Sequence, residues 1–127
     1  MSQTILVVED NEDNRTIYRT LLEHFGYTVL EAVDGEEGAR LAEAHQPALV
    51  LMDLSMPRLD GYGALERIRA STLTSAVPVL ALTAHAMEAD RERATAAGFD
   101  GYLAKPIEPR LVLAEVQRIV GPAVPVG

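Results

Sequence analysis

The sequence predicts a doubly wound α/β domain, a five-stranded parallel sheet in strand order 2-1-3-4-5 with helices on both faces. Three observations carry this expectation. Five short β-type runs alternate with five helical patterns along 127 residues, a rhythm that gives parallel strands joined by right-handed crossovers. Several of the strand runs are apolar throughout, as strands covered on both faces are. Four of the five strands hand over to a polar or charged residue, which brings those residues to one edge of the sheet.

The first run, Thr4-Ile5-Leu6-Val7-Val8, is continuous, apolar and rich in β-branched residues, the pattern of a buried strand. From Asn14 to Phe25 the residues Ile17, Tyr18, Leu21, Leu22 and Phe25 recur at helical spacing, and Gly26 follows as a C-terminal cap. Thr28 to Ala32 reads as the second strand, Asp34-Gly35 as a turn, and Glu36 to His45 as a helix packing through Ala39, Leu41 and Ala42. Ala48 to Met52 is the third strand. Pro57 and Gly61 punctuate a loop before a helix from Ala64 to Ala70. Val77 to Leu82 is the fourth strand. Met87 to Ala97 is helical but Ala-rich, and Gly98 closes it. Gly101 to Ala104 is a short fifth strand. Pro109 opens a last helix that runs to Val120 and carries Leu113, Val116, Ile119 and Val120 on one side.

One domain over residues 1–120 and a flexible tail over 121–127 are expected from this length. The initial Met and the short tail point to a stand-alone chain. About half of the residues are apolar and there is no Cys, so a core forms without disulfides and thiolate metal sites are excluded. The net charge of −8 opposes direct nucleic-acid binding, which depends on Lys and Arg against phosphates. No apolar run reaches membrane-spanning length, and no basic-then-apolar leader is present. A cytoplasmic protein without membrane contact is the expectation. Lys105 is the sole Lys; every other cation is Arg.

The residues at the strand ends carry the chemistry. Glu9 and Asp10 follow the first strand, Asp53 the third, Thr83 the fourth and Lys105 the fifth. Any one of them alone is ordinary: Asp at a strand end is often only a turn former or a helix cap. Together they converge where the strand order reverses, the place where open α/β sheets bind ligands. Three carboxylates in one pocket repel at low dielectric and call for protons or a cation. An all-oxygen set without His or Cys favours a hard divalent ion, Mg²⁺ or Mn²⁺. With Lys105 as a point charge and Thr83 as a hydroxyl donor around Asp53, the pocket holds the parts of phosphoryl transfer onto a carboxylate.

These residues, in this order, resemble the receiver domains of two-component response regulators. The matching pieces are Val7-Val8-Glu9-Asp10-Asn11, Leu51-Met52-Asp53 through Asp60-Gly61, Ala81-Leu82-Thr83-Ala84 and Gly101-Tyr102-Leu103-Ala104-Lys105-Pro106. The likeness runs to about Val120 and implies a flavodoxin-like sheet. By this resemblance Asp53 is the phosphoacceptor. Asp10, Asp53 and the Ser55 backbone carbonyl are metal ligands, and Glu9 acts through a metal-bound water. Lys105 pairs with the phosphoryl oxygens, Thr83 hydrogen-bonds them, and Tyr102 is the switch aromatic. Lys105-Pro106 matches a bond that is cis in the family. The implied donor is a phosphohistidine on a histidine kinase or histidine phosphotransfer protein, and the implied output is contact with a downstream protein. Glu9, with Asn11 and Asn14 after it, is similar to the Glu-Asp-Asn type of phosphorelay and hybrid-kinase receivers. Ser55 and His85 occupy flanking positions that tune acyl-phosphate lifetime in this family. The first helix, with Asn14, Arg15 and Tyr18, together with Pro106 near the site, is expected as a donor docking face, although Tyr18 suits the core equally. Helix four, strand five and helix five are expected as the signalling face, because helix four has little to bury. Self-dephosphorylation is the only turnover expected.

Three other readings share the fold or the chemistry. A receiver excised from a hybrid histidine kinase would act identically. A flavodoxin-like FMN carrier needs Ser, Thr and Gly amides after the first strand, where this chain puts Glu9 and Asp10. A Mg²⁺-dependent phosphatase with an aspartyl nucleophile needs an Asp-x-Asp pair, which Asp53-Leu54-Ser55 lacks.

Overall fold

Parallel pairing builds the whole sheet. In the computed structural model, which describes residues 3–54, 61–83, 87–104 and 108–121, the elements run β1 (Thr4–Val8), α1 (Glu12–His24), β2 (Thr28–Ala32), α2 (Gly35–His45), β3 (Leu49–Asp53), α3 (Gly61–Ala70), β4 (Val79–Thr83), α4 (Glu88–Ala97), β5 (Gly101–Ala104) and α5 (Pro109–Val120). The strand order is β2-β1-β3-β4-β5, as the sequence predicts. Register is fixed by pairs such as Val7 with Leu51, Asp53 with Leu82, and Thr83 with Ala104.

Strand alternation divides the core in two. Leu6, Val8, Val50, Met52, Val79 and Ala81 face one layer with Ala42, Leu65, Ile68, Ala94 and Phe99. Ile5, Val7, Leu49, Leu51, Leu80 and Leu82 face the other with Tyr18, Leu22, Val112 and Val116. Helices α2, α3 and α4 thus cover one face, and α1 and α5 the other. No helix among the described residues is long and apolar enough to cross a membrane.

Several boundaries differ from the sequence reading, each for a local reason. Helix α1 begins at Glu12, two residues early, because the Asn11 side chain caps it by accepting from the Asn14 amide at 2.9 Å. Asp34 is likewise a cap, accepting from the Glu37 amide, so the expected turn is the helix entry. Helix α3 starts at Gly61 rather than Ala64. Met87 caps α4 by position only, with no side-chain bond. Both β3 and β4 extend one residue past their apolar runs, so Asp53 and Thr83 are ladder members and not the residues after the strands. Along α1, Tyr18 and Leu22 are buried, whereas Ile17 and Phe25 are exposed. Tyr18 is therefore core and not part of a docking face. In α4 only Ala94 is buried, and Ala97 faces solvent. Of the expected tail, only Gly121 is described.

Candidate phosphoryl-acceptor site

The carboxyl ends of β1, β3 and β4 bring the acids and the hydroxyl together. Glu9 leaves β1 with its amide donating to the Ala32 carbonyl of β2 at 3.0 Å. Asp53 ends β3, and the next amide, Leu54 N–H, donates to the Leu82 carbonyl of β4 at 2.9 Å. Glu9, Asp10 and Asp53 each present a carboxylate oxygen within 4.8 Å of the others. Glu9 is fully buried and Asp53 is 2% exposed, while Asp10 faces solvent. Buried acids this close raise each other's energy unless a cation joins them. The oxygen-only donor set, open to water through Asp10, fits a hard divalent ion that keeps part of its hydration shell.

Thr83 is 1% exposed and lies one residue beyond the Asp53–Leu82 pair on the adjacent strand. Its side chain is hydrogen-bonded with that of Tyr102. The Tyr102 phenol is pushed above its ordinary range, chiefly by desolvation and then by the nearby Asp90 carboxylate, with the Thr83 bond and Arg91 pulling the other way. The Arg91 guanidinium stands over the Tyr102 ring, 5.3 Å from its centroid. Ser55, His85, Lys105 and Pro106, all assigned roles in the sequence, lie outside the described residues. Ala104, which precedes Lys105 in the chain, pairs with Thr83.

Gly61 sets how closely α3 approaches the strand that carries Asp53. A Cβ there would stand 2.7 Å from both the Asp53 carbonyl oxygen and the Leu54 Cα. Only glycine lets the helix start against the strand that carries Asp53.

Several contacts around the site are not read from the sequence. The Asn14 side-chain amide donates to Glu9 Oε1 at 2.9 Å. The Arg15 guanidinium donates to the Glu9 carbonyl at 2.9 Å and pairs with Glu31 of β2 at 3.3 Å. The sequence puts Asn14 and Arg15 on an expected docking face, and Asn14 in the run after Glu9, without tying either to Glu9. Glu31, a charge within the strand Thr28–Ala32, is the one sequence signal for this network. On α4, Arg93 lies over the Tyr62 ring at 4.1 Å, and Tyr62 meets Phe99 edge-on at 5.5 Å.

Comparison with known proteins agrees with this fold. Residues 5–117 match the family model described as the response regulator receiver domain. The polar-differentiation response regulator DivK of Brucella ovis is 33% identical over 123 residues, covering 97% of this chain and all of DivK. The receiver domain of the sensor histidine kinase PA1611 from Pseudomonas aeruginosa, with a magnesium ion in its active-site cleft, is 41% identical. It superposes with a TM-score of 0.87 over 95% of this chain and 99% of its own. The chemotaxis protein CheY4 of Vibrio cholerae is 27% identical with a TM-score of 0.88, over 94% and 99% of the two chains.

Proposed function

The chain belongs to the response regulator receiver family, the phosphorylation switches of two-component signalling, and on that premise we propose that it takes a phosphoryl group onto Asp53 from a phosphohistidine in a Mg²⁺-dependent reaction. The observation that carries this reading is the buried Asp53 carboxylate held within 4.8 Å of two further acids at the sheet edge. A bound Mg²⁺ would supply charge neutralisation at the acid cluster and for the phosphoryl oxygens. Asp10, Asp53 and the Ser55 carbonyl would hold it directly, with Glu9 acting through water.

The chain's own residues do the rest. An Asp53 carboxylate oxygen forms the bond to phosphorus as the P–N bond to the donor imidazole breaks, and the imidazole leaves with the electron pair. The pocket needs no nucleotide site, because the donor is a docked protein: a histidine kinase or a histidine phosphotransfer protein. Lys105 supplies positive charge against the phosphoryl oxygens, and Thr83 donates its hydroxyl to them. Drawing Thr83 toward the phosphoryl group changes its bond with Tyr102, and Tyr102 passes the change to α4 through Arg91. The face formed by α4, β5 and α5 then presents a different surface to a downstream protein.

Two settings suit this chemistry. The match to DivK, a response regulator, extends over the whole of that protein. The higher identity to a receiver within a sensor kinase favours a phosphorelay position. The test is the intact mass of the protein after incubation with Mg²⁺ and a small acyl phosphate. Wild type gains one phosphoryl group only when Mg²⁺ is present, and Asp53→Asn gains none. A wild type that stays unmodified, or an Asp53→Asn variant modified equally, refutes the assignment.

A further inference from the structure

We propose that Asn14 and Arg15 are positioning residues for the Mg²⁺ site, together bracing Glu9 so that its carboxylate stays aimed at the acid cluster. The proposal rests on the Mg²⁺-dependent reading above. Glu9 has the longest arm of the three acids and is fully buried. An unbraced Glu has several rotamers to choose from, and only some would keep its oxygen within 4.8 Å of Asp10 and Asp53.

Three contacts from two elements, β2 and α1, hold the residue. The backbone amide of Glu9 donates to Ala32 of β2 at 3.0 Å. Its carbonyl accepts from Arg15 Nη1 at 2.9 Å, and the same nitrogen lies 3.5 Å from the Asp10 carbonyl. Its Oε1 accepts from Asn14 Nδ2 at 2.9 Å. The braces are themselves fixed. The amide of Asn14 is tied to the Asn11 cap at 2.9 Å. Arg15, its side chain only 15% exposed, is held by Glu31 Oε1 at 3.3 Å, and the other Glu31 oxygen accepts from Arg19 at 2.9 Å.

The chemistry of the two braces is matched to their places. Asn14 touches the carboxylate with a neutral donor, which orients the acid without cancelling the charge a cation needs. Arg15 turns its charge to Glu31 and to backbone carbonyls, so it fixes the turn and not the carboxylate. Partners behind metal ligands set ligand orientation, and losing one typically costs about tenfold or more in affinity.

Calorimetric titration of the unphosphorylated protein with Mg²⁺ tests this, using wild type, Asn14→Ala, Glu9→Asp, the double variant and Arg15→Met. We expect Asn14→Ala to bind Mg²⁺ about tenfold more weakly. In the Glu9→Asp background, where the shorter arm falls away from Asn14, the same change should add about twofold or less, the signature of a direct coupling. Thermal unfolding without Mg²⁺ should barely move for Asn14→Ala, since Ala favours the helix; a purely structural Asn14 would shift unfolding and leave Mg²⁺ affinity alone. Arg15→Met decides the matter if Asn14→Ala does not fold, with weakening of about tenfold expected again. A wild type that binds no Mg²⁺ overturns the metal reading itself. A wild type that binds, beside folded variants that bind equally well, overturns the brace alone.

Discussion

Helices α1 and α4 flank the same sheet on opposite faces, and they are held in different ways. Helix α1 has a side-chain cap from Asn11, buries Tyr18 and Leu22, and sends Asn14 and Arg15 into the acid turn. Helix α4 has no side-chain cap and buries only Ala94. Its attachment leans on two guanidinium–aromatic contacts, Arg91 on Tyr102 and Arg93 on Tyr62. The difference bears on how one small sheet would serve the proposed chemistry and response. The element beside the acids is fixed through packing and part-buried hydrogen bonds. The element beside Tyr102 is attached by contacts that each contribute only about 0.5–1 kcal/mol when exposed, so on the proposed reading small changes at Thr83 would suffice to shift it.

Substitutions that strike the two helices unequally break this contrast most visibly. Leu22→Ala empties a fully buried position of α1 and should lower stability by about 2–5 kcal/mol in urea unfolding. Gly61→Ala drives a Cβ against the Asp53 carbonyl and Leu54. It should cost about 1–3 kcal/mol and, on the proposed reading, slow phosphoryl uptake by displacing the strand that carries Asp53, read from the rate of mass gain. Arg93→Ala should cost about 0.5–1 kcal/mol globally, yet speed amide exchange selectively in α4. An Arg93→Ala loss as large as that of Leu22→Ala would erase the distinction between the helices.

The smallest effect concerns pH. Burial and Asp90 raise the Tyr102 phenol above its ordinary value, so folding favours its neutral form. That contribution is fully present below the unfolded value near pH 10 and is lost as pH rises through the folded value. The difference between wild type and Tyr102→Phe in phenolate absorbance should show this late titration. A Tyr102 that ionises earlier than a free tyrosine would contradict the desolvated setting.

Much of this arrangement is legible in the sequence, and the limits have physical causes. Apolar runs such as Leu49 to Met52 and Val79 to Leu82 disclose buried strands because both faces are covered. Their ends are less legible. Asp53 and Thr83 stay in the ladder because hydrogen bonding, not hydrophobicity, decides where a strand stops. Gly61 reads as loop punctuation, while its role is to let α3 begin against the Asp53 backbone. The convergence of Glu9, Asp10 and Asp53 follows from strand order alone, so their grouping could be foreseen. The Arg15–Glu31 pair could not, because it depends on which side chains meet between β2 and α1. The charges of α4 read as simply solvated. Arg91 and Arg93 are indeed exposed, but they lie on aromatic faces that no local pattern reveals.

The most direct test of the central claim is residue-resolved amide hydrogen exchange of the Mg²⁺-loaded protein, with and without excess small acyl phosphate. A fixed acid turn and a loosely attached α4 predict that exchange changes through α4 and β5, while β1 and the turn from Glu9 to Arg15 stay as they were. Equal change across both regions, or change confined to the acid turn, would contradict the account.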